Sequence, residues 1–378
     1  MAIAVVVHHN LNSPGGEAAV AIETIQSLND LGYDVHLVTI QKPNIDAISK
    51  IHGKTIPVTK VYSLFPFKIN YLGIYQKILT QLSSLKTKDV NLVICTNGVT
   101  LPANIPCNIP IILYLHFPPS LITTQKYENL KYNKSLFWSI YYKPYKALSK
   151  ILIKKAFSKS DMILVNSQFT KDAVKEIFPA SNPSVLYPPV NIDLFYSSYQ
   201  SKLRYRKVLV ISRFSPEKQI ENAIKIAKLL QKEDISFKII GSLIPSNKSY
   251  FNYLKKMVVD LGVEKNITLV PNATFDEILK SLSESIVYLH TMHGEHFGIS
   301  IIQAMAAGLV PIVPSYGGCS EIVPLNYQYK EIEDAANYIL KSINDYNPEI
   351  REYMHNIAKN FSSCEFRKKM QDYIQQII

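Results

Sequence analysis

The feature that most constrains this chain is a rhythm. Short β-rich runs alternate with stretches whose apolar residues recur at helical spacing, and the alternation runs through the sequence twice. In the first pass "IAVVVHH" reads as a buried strand. Ala18, Ile22, Ile25 and Leu28 then mark one face of a helix, and Gly32 follows as a stop. "DVHLVTI", "VNLVICTNG", "PIILYLHF" and "DMILVNS" are further strands. Strand, helix, strand in this order demands parallel strands joined by right-handed crossovers. Around residues 182–206 the rhythm breaks, in the proline-rich "NPSVLYPPVNIDLF" and the polar "YSSYQSKLRYR". It then restarts with "KVLVIS", a helix over Gln219–Gln231, "FKIIG", a helix over Tyr250–Leu261, "ITLVP", "SIVYLHT" and "VPIVP". At 378 residues the chain is too long for one ordinary core. The expectation is two doubly wound α/β domains in series, residues 1–190 and 191–355, with a closing helix over 356–378 packing back on the first.

Composition narrows the class. Apolar residues make up 47% and charged residues 19%, which suits a water-soluble globular protein, and no run is long and apolar enough to span a bilayer. The start "MAIAVVVHHN" has neither a basic leader nor a small-residue cleavage site. Cys95, Cys107, Cys319 and Cys364 lie far apart with no CxxC, so reduced thiols in a cytoplasmic protein are expected rather than a disulfide frame or a metal site. The net charge of +11 is uneven. Between Lys126 and Lys159 nine lysines face one acid, Glu128. That points to an anionic partner: nucleic acid, a phosphorylated substrate or a membrane surface.

Ligands of doubly wound sheets bind beyond the carboxyl ends of the strands, near helix N-termini. The first such turn, "HHNLNSPGGEAA", lacks the G-x-G-x-x-G spacing, and the second strand ends in "LVTIQKP" without an acid, which excludes a dinucleotide site. No G-x-x-x-x-G-K-[ST] loop occurs. Gly15-Gly16 opens a helix and can admit an anion to free backbone N–H groups, though a GG pair equally serves an ordinary turn. In "ISRFSPEKQI", Arg213 and Lys218 stand at a strand end before a helix. Together they can hold a diphosphate, or each can be a solvated surface cation. In "SIVYLHTMHGEHFGISIIQAMAAG", Gly298 leaves a helix mouth open and Glu295 offers a carboxylate to vicinal hydroxyls. An acid there also fits as a plain N-terminal dipole partner. Gln303 lies eight residues further on, and "YGGCSEIV" adds Gly317-Gly318 after the next strand. Several anion-ready loops in two domains converge on a nucleotide diphosphate.

These segments, "PGGEAA", "YLHFPPS", "VNSQFTKDAV", "VLYPPVNIDLF", "SRFSPEKQI", "GEHFGISIIQAMAAG" and "GGCSEIV", resemble in content and order the retaining glycosyltransferases of the GT-B fold, family 4. "LHTMHGEHFGI" with "AMAAG" is most similar to the cytosolic mannosyltransferases that extend lipid-linked oligosaccharides. The resemblance implies two Rossmann-like domains facing each other across a cleft. It implies that Gly16 faces the donor diphosphate, that Arg213 and Lys218 neutralise it, and that Glu295 holds donor-sugar hydroxyls. Phe297, Gly298 and Ile299 would present backbone N–H groups, and His116 would sit over the sugar. Read alone, His116 fits a core histidine at a strand end. One departure matters: the family has a second Glu where this chain has Gln303, which keeps an acceptor but loses the charge. Weaker or altered nucleotide binding follows, with a non-catalytic binder as the alternative.

The implied reaction transfers a hexose, mannose favoured, from a nucleotide-diphosphate sugar to a glycan acceptor, lipid-linked, with retention. Glucose from a UDP donor and a hydrolysing epimerase are the alternatives. No cofactor is required and no Asp-x-Asp stands at a strand end, so the sugar nucleotide is a substrate and cations replace a metal. The segment holding Lys131, Lys134, Trp138, Lys143, Lys146, Lys150, Lys154 and Lys155 interleaves lysines with aromatics. It suits a helix lying on the cytosolic face of a membrane, broken in two by Pro144, or an amphipathic pair with its lysines in water. Nucleic acid is not expected, because no binding module is present and the lysines are confined to one segment.

Overall fold

A computed structural model describes residues 1–12, 15–67, 75–83, 89–98, 101–106, 108–118, 121 and 136–378. The described chain divides into two compact units. Residues 1–189 with 363–378 form unit 1, and residues 190–362 form unit 2.

Unit 1 runs β1 (Ile3–Val7), α1 (Gly16–Asp30), β2 (Asp34–Gln41), α2 (Ile45–His52), β3 (Lys60–Phe65), α3 (Gln76–Leu79), β4 (Val90–Cys95), β5 (Ile111–Leu115), α4 (Leu136–Phe157), β6 (Met162–Val165), α5 (Gln168–Ile177) and β7 (Ser184–Val185). The strands form one seven-stranded sheet in the order β3-β2-β1-β4-β5-β6-β7, parallel throughout. The order reverses between β1 and β4, and such a switch point opens a crevice at the strand ends. Near-continuous apolar strands fit a sheet covered on both faces. Ala4 and Val6 join α1 residues Ile22, Ile25 and Leu28 in one core, while Val5 and Val7 join Val93, Leu113 and Ala156 of α4 in the other.

Unit 2 runs α6 (Tyr196–Gln200), β8 (Lys207–Ile211), α7 (Glu221–Leu229), β9 (Ser236–Gly241), α8 (Lys248–Asp260), β10 (Ile267–Pro271), α9 (Phe275–Glu284), β11 (Val287–Leu289), α10 (Ile299–Ala306), β12 (Val310–Pro314), β13 (Gln328–Tyr329), α11 (Ile332–Asn344) and α12 (Pro348–Lys359). Its six parallel strands are ordered β10-β9-β8-β11-β12-β13, with the switch between β8 and β11. Where the chain enters and leaves this unit, Val190 bridges Ser362 and its amide donates to Phe361 O.

The closing segment differs from the single helix expected over 356–378. It is two helices with a break at residues 360–362: α12, which packs on α10 in unit 2, and α13 (Ser363–Gln375), which packs on α1 in unit 1. Phe366, Met370 and Ile374 recur every four residues and enter the α1 core. Arg367 reaches buried Glu23, which also accepts from Lys54.

Two further expectations change. Pro144 does not break α4, which runs 22 residues through it. Proline removes one amide from the ladder and frees the carbonyl four residues earlier. Here Pro144 and Ile140 are both exposed, so water can solvate that carbonyl. Strand β3, and the two-residue strands β7 and β13, carried too little pattern to be seen in sequence. Cys95 and Cys319 are buried free thiols and Cys364 an exposed one, while Cys107 lies outside the described residues.

Met370 is fully buried. Met370→Ala should destabilise the protein by about 2–5 kcal/mol, read as a lower urea midpoint. An unchanged midpoint would show that α13 is not docked on α1.

Candidate functional site

Both sheets place polar side chains at their switch points. In unit 2 the site is built from the loops after β8 and β11. After β8, residues 216–218 form one 3-10 turn, and Gln219 takes a left-handed conformation (φ 51°) that turns the chain into α7. This brings Lys218 inward. Its Nζ donates to Glu295 Oε2 at 2.6 Å and lies 3.2 Å from Met292 Sδ. The loops are also joined through their backbones: Thr291 Oγ1 donates to Lys218 O at 2.7 Å, and the His293 amide donates to Gln219 Oε1. His290, at the end of β11, is buried, and its Nε2 stands 3.4 Å from Glu295 Oε2.

Lys218 and Glu295 side chains are 16% and 14% exposed. Burial works against the carboxylate charge, but the Lys218 ammonium, then His290, outweighs it and holds Glu295 well below the usual carboxylate range. Glu295 is therefore an ionised acceptor at neutral pH, with room for further hydroxyl donors.

Glycine sets the backbone around it. Gly298 has φ 106°, and a Cβ there would meet Ile301 Cδ1 at 2.5 Å. It opens α10, whose N-terminus no side chain caps. The amides at that mouth suit an anion or a hydroxyl. Tyr288 of β11 donates to Ser300 Oγ at 2.7 Å and steadies the first turn. Gln303 is half-buried one turn later on the side of Ile299 and Ser300. Ile299 is half-buried, and Phe297 is buried with its ring edge-on to Phe361 at 5.9 Å.

Gly317 and Gly318 bring a second stretch of backbone against Glu295. Gly317 bridges Glu295, and the Gly318 amide donates to Glu295 O at 2.6 Å. A Cβ on Gly318 would stand 2.1 Å from His296 O. These glycines admit the Glu295 backbone, and the Gly318 amide is already engaged. Arg213 is also placed apart from the expected paired clamp. Its side chain is 65% exposed and lies 3.4 Å from Glu217, not in the Lys218–Glu295 contact.

In unit 1 the switch point holds a cluster the sequence reading missed apart from His116. His8 follows β1, and its Nδ1 lies 3.0 Å from Thr96 Oγ1 after β4. His116, after β5, donates from Nε2 to Thr96 O at 3.0 Å. Glu17, in the first turn of α1, accepts from Lys77 at 2.6 Å and lies 4.0 Å from His9. Nε2 of His8 and Nδ1 of His9 are buried and without a hydrogen-bond partner. Burial lowers all three histidines, His9 to about 4 with Lys77 adding to the effect, so they are neutral at physiological pH. The signal for this cluster was present in "VVVHHN", a pair of histidines ending a buried strand. Gly15 is extended and exposed, with nothing among the described residues within 4 Å of a notional Cβ. Gly16 begins α1.

Of the basic segment, Lys131 and Lys134 lie outside the described residues, as does the side chain of Trp138. Lys143, Lys150, Lys154 and Lys155 are exposed on α4 and Lys146 half-exposed.

Two parallel, doubly wound sheets, each with polar side chains at its switch point, place ligand-capable groups in both units. Residues 14–194 match the Glycosyltransferase Family 4 domain, and residues 194–361 match the domain described as Glycosyl transferases group 1. The chain belongs to this GT-B glycosyltransferase family. Among curated relatives, the GDP-Man:Man(3)GlcNAc(2)-PP-Dol alpha-1,2-mannosyltransferase of Homo sapiens is 28% identical over 62% of this chain and 51% of the human one. The mouse (Mus musculus) protein of that name is 30% identical over 54% of this chain and 46% of its own. Mouse Alpha-1,3/1,6-mannosyltransferase ALG2 is 24% identical over 71% and 68%. The chain thus spans about half the length of the first two. Among solved structures, Anabaena HepE in complex with UDP and glucose superposes with a TM-score of 0.72 at 17% identity over 100% of both chains. Sucrose-phosphate synthase from Thermosynechococcus elongatus gives 0.76 at 14%, over 100% of this chain and 99% of its own. These two likenesses show the fold.

Lys218→Met should move the Glu295 pKa up, because burial is then opposed only by the weaker effects of His290 and His296. A depressed folded pKa stabilises above the unfolded carboxylate value and is lost as pH falls through the folded one. The variant should therefore lose donor affinity at a higher pH than the wild type, read by calorimetric titration with a nucleoside diphosphate sugar from pH 4 to 8. In unit 1, Lys77→Met removes a cation that depresses His9 and leaves Glu17, which raises it. The His9 imidazole should titrate upward from about 4 in NMR; no movement would mean that Lys77 does not act on it.

Proposed function

We propose that the chain is a retaining glycosyltransferase that transfers a hexose, mannose in preference, from a nucleoside-diphosphate sugar to a glycan acceptor carried on a lipid phosphate. The observation that carries this is the buried Lys218–Glu295 pair beside the uncapped N-terminus of α10. One partner is a cation for a diphosphate, the other a fixed carboxylate for sugar hydroxyls. The relatives named for GDP-mannose transfer to a dolichyl-diphosphate glycan support the choice of mannose and of a lipid carrier. The lipid carrier in turn favours a peripheral position on the cytosolic face of a membrane.

In the reaction the bond between C1 of the sugar and the diphosphate oxygen breaks as the acceptor oxygen bonds C1 from the same face. The acceptor's proton passes to the departing diphosphate. Charge grows on that leaving group, and the amides of Gly298 and Ile299, with Lys218, face it. Preorganised donors of this kind are often the largest contribution to catalysis. Arg213 can swing in from its exposed position. Gln303 would meet the nucleoside with a neutral amide. In unit 1 we keep Gly15 and Gly16 for the diphosphate and His116 for the sugar.

The test is a panel of labelled GDP- and UDP-sugars against a dolichyl-diphosphate oligosaccharide, with Glu295→Ala alongside. Transfer with retained anomeric configuration is expected from GDP-mannose, and the variant should fall by about 10²–10³ in kcat/KM. Donor binding without turnover would make the chain a non-catalytic binder. Equal rates for variant and wild type would remove Glu295 from the site.

A further inference from the structure

We propose that the outer face of α4 is a bilayer-docking surface for anionic lipid. It deepens the membrane side of the reading above, but it rests on geometry of its own. Successive α-helix residues turn by about 100°. From Ile140 that rotation places Pro144, Ala147 and Ile151 on one narrow line, with Leu148 at its edge. All five are exposed, Ile140 and Ile151 each at 65%. The opposite side holds Tyr145, Ser149, Leu152, Ile153 and Ala156, all buried. The helix therefore satisfies its core with one face and still carries a second apolar stripe.

Lysines flank that stripe. Lys143, Lys150 and Lys154 run along one side and Lys155 stands on the other, all exposed. Among the described residues none of them pairs with a carboxylate. An apolar centre line with unpaired cations on both sides matches an interface where acyl chains lie beneath anionic headgroups. A nucleic acid would use the lysines but leave the isoleucines in water. Lys150 and Lys154 also wall an open groove of about 740 Å³ that is lined by Phe157, Met162, Ile177 and Phe178. It gives an apolar recess beside the stripe, at the end of the sheet where β6 and β7 begin, opposite the His8–His116 cluster. Continuity of α4 through Pro144 is what keeps the stripe on one line.

The experiment is flotation of the full chain with vesicles of phosphatidylcholine alone or with one-third phosphatidylglycerol. Wild-type protein should float with the anionic vesicles only, and less at high salt. The double variants Ile140→Ser/Ile151→Ser and Lys150→Glu/Lys154→Glu should each reduce binding by roughly tenfold or more. Lys225→Glu/Lys232→Glu, a charge reversal on exposed unit 2 lysines, should not. Because the altered residues are exposed, unfolding is not expected, and an unchanged melting temperature checks it. Equal binding to neutral vesicles, no binding to either, or stripe variants that float like wild type would each overturn the proposal. So would RNA binding of similar strength lost in the lysine variant and kept in the isoleucine variant. Transfer of sugar to a water-soluble acceptor should be unchanged in all variants. Its loss in the wild type would count against the glycosyl-transfer reading and leave the docking surface standing.

Discussion

The contact between Lys218 and Glu295 organises unit 2. Both side chains are only 14–16% exposed, and each supplies the other's opposite charge where desolvation would otherwise be unfavourable. Once paired, they fix two loops from opposite sides of the β8–β11 switch. Thr291 and Gln219 then close the backbone contacts, and the mouth of α10 takes its place beside the carboxylate. A breakable ion pair at a ligand site has a further consequence. A diphosphate can take over the ammonium and sugar hydroxyls the carboxylate, so a donor replaces one set of satisfied charges by another instead of leaving either bare.

The glycines around this pair divide by physical demand. Gly241, Gly298, Gly317 and Gly318 all stand where a Cβ would meet other atoms of the same unit, in Gly241 the carbonyl oxygen of Ser212 at 1.6 Å. At Gly241, Gly317 and Gly318 the backbone of a second segment approaches too closely for a side chain, while at Gly298 the φ of 106° is what favours glycine. Among the described residues a Cβ on Gly15 would meet nothing, so Gly15 does not belong with them.

Much of this was legible in the sequence because it is carried by periodicity. The strands that were read correctly are buried on both faces and so are almost wholly apolar. Edge strand β3, with Lys60 and Val61 exposed, lacked that mark. Glu295 and Lys218 were legible because an acid and a lysine beside helix mouths at strand ends are chemically pointed choices. Their pairing was not, since it depends on the left-handed turn at Gln219 and on the bridge from Glu295 to Gly317. For Arg213 the spacing suggested a place beside Lys218, and its side chain rests instead against Glu217, four residues on. His8 with His9, Glu17 and Lys77 come from three places in the sequence, after β1, on α1 and on α3, and only the folded unit brings them together.

The two switch points differ less in side-chain charge than in their backbone donors. In unit 2 Lys218 is balanced by Glu295 and Arg213 by Glu217, which leaves the amides at the uncapped mouth of α10 as the surplus. Unit 1 offers neutral histidines and a Glu17–Lys77 pair whose charges cancel. The cluster also holds unfilled hydrogen-bonding positions at the buried nitrogens of His8 and His9, which a neutral hydroxyl matches without bringing charge. A buried nitrogen left without a partner is unfavourable until something fills it. The apolar packing of β1 against β2 and β4 must hold the two histidines in place meanwhile.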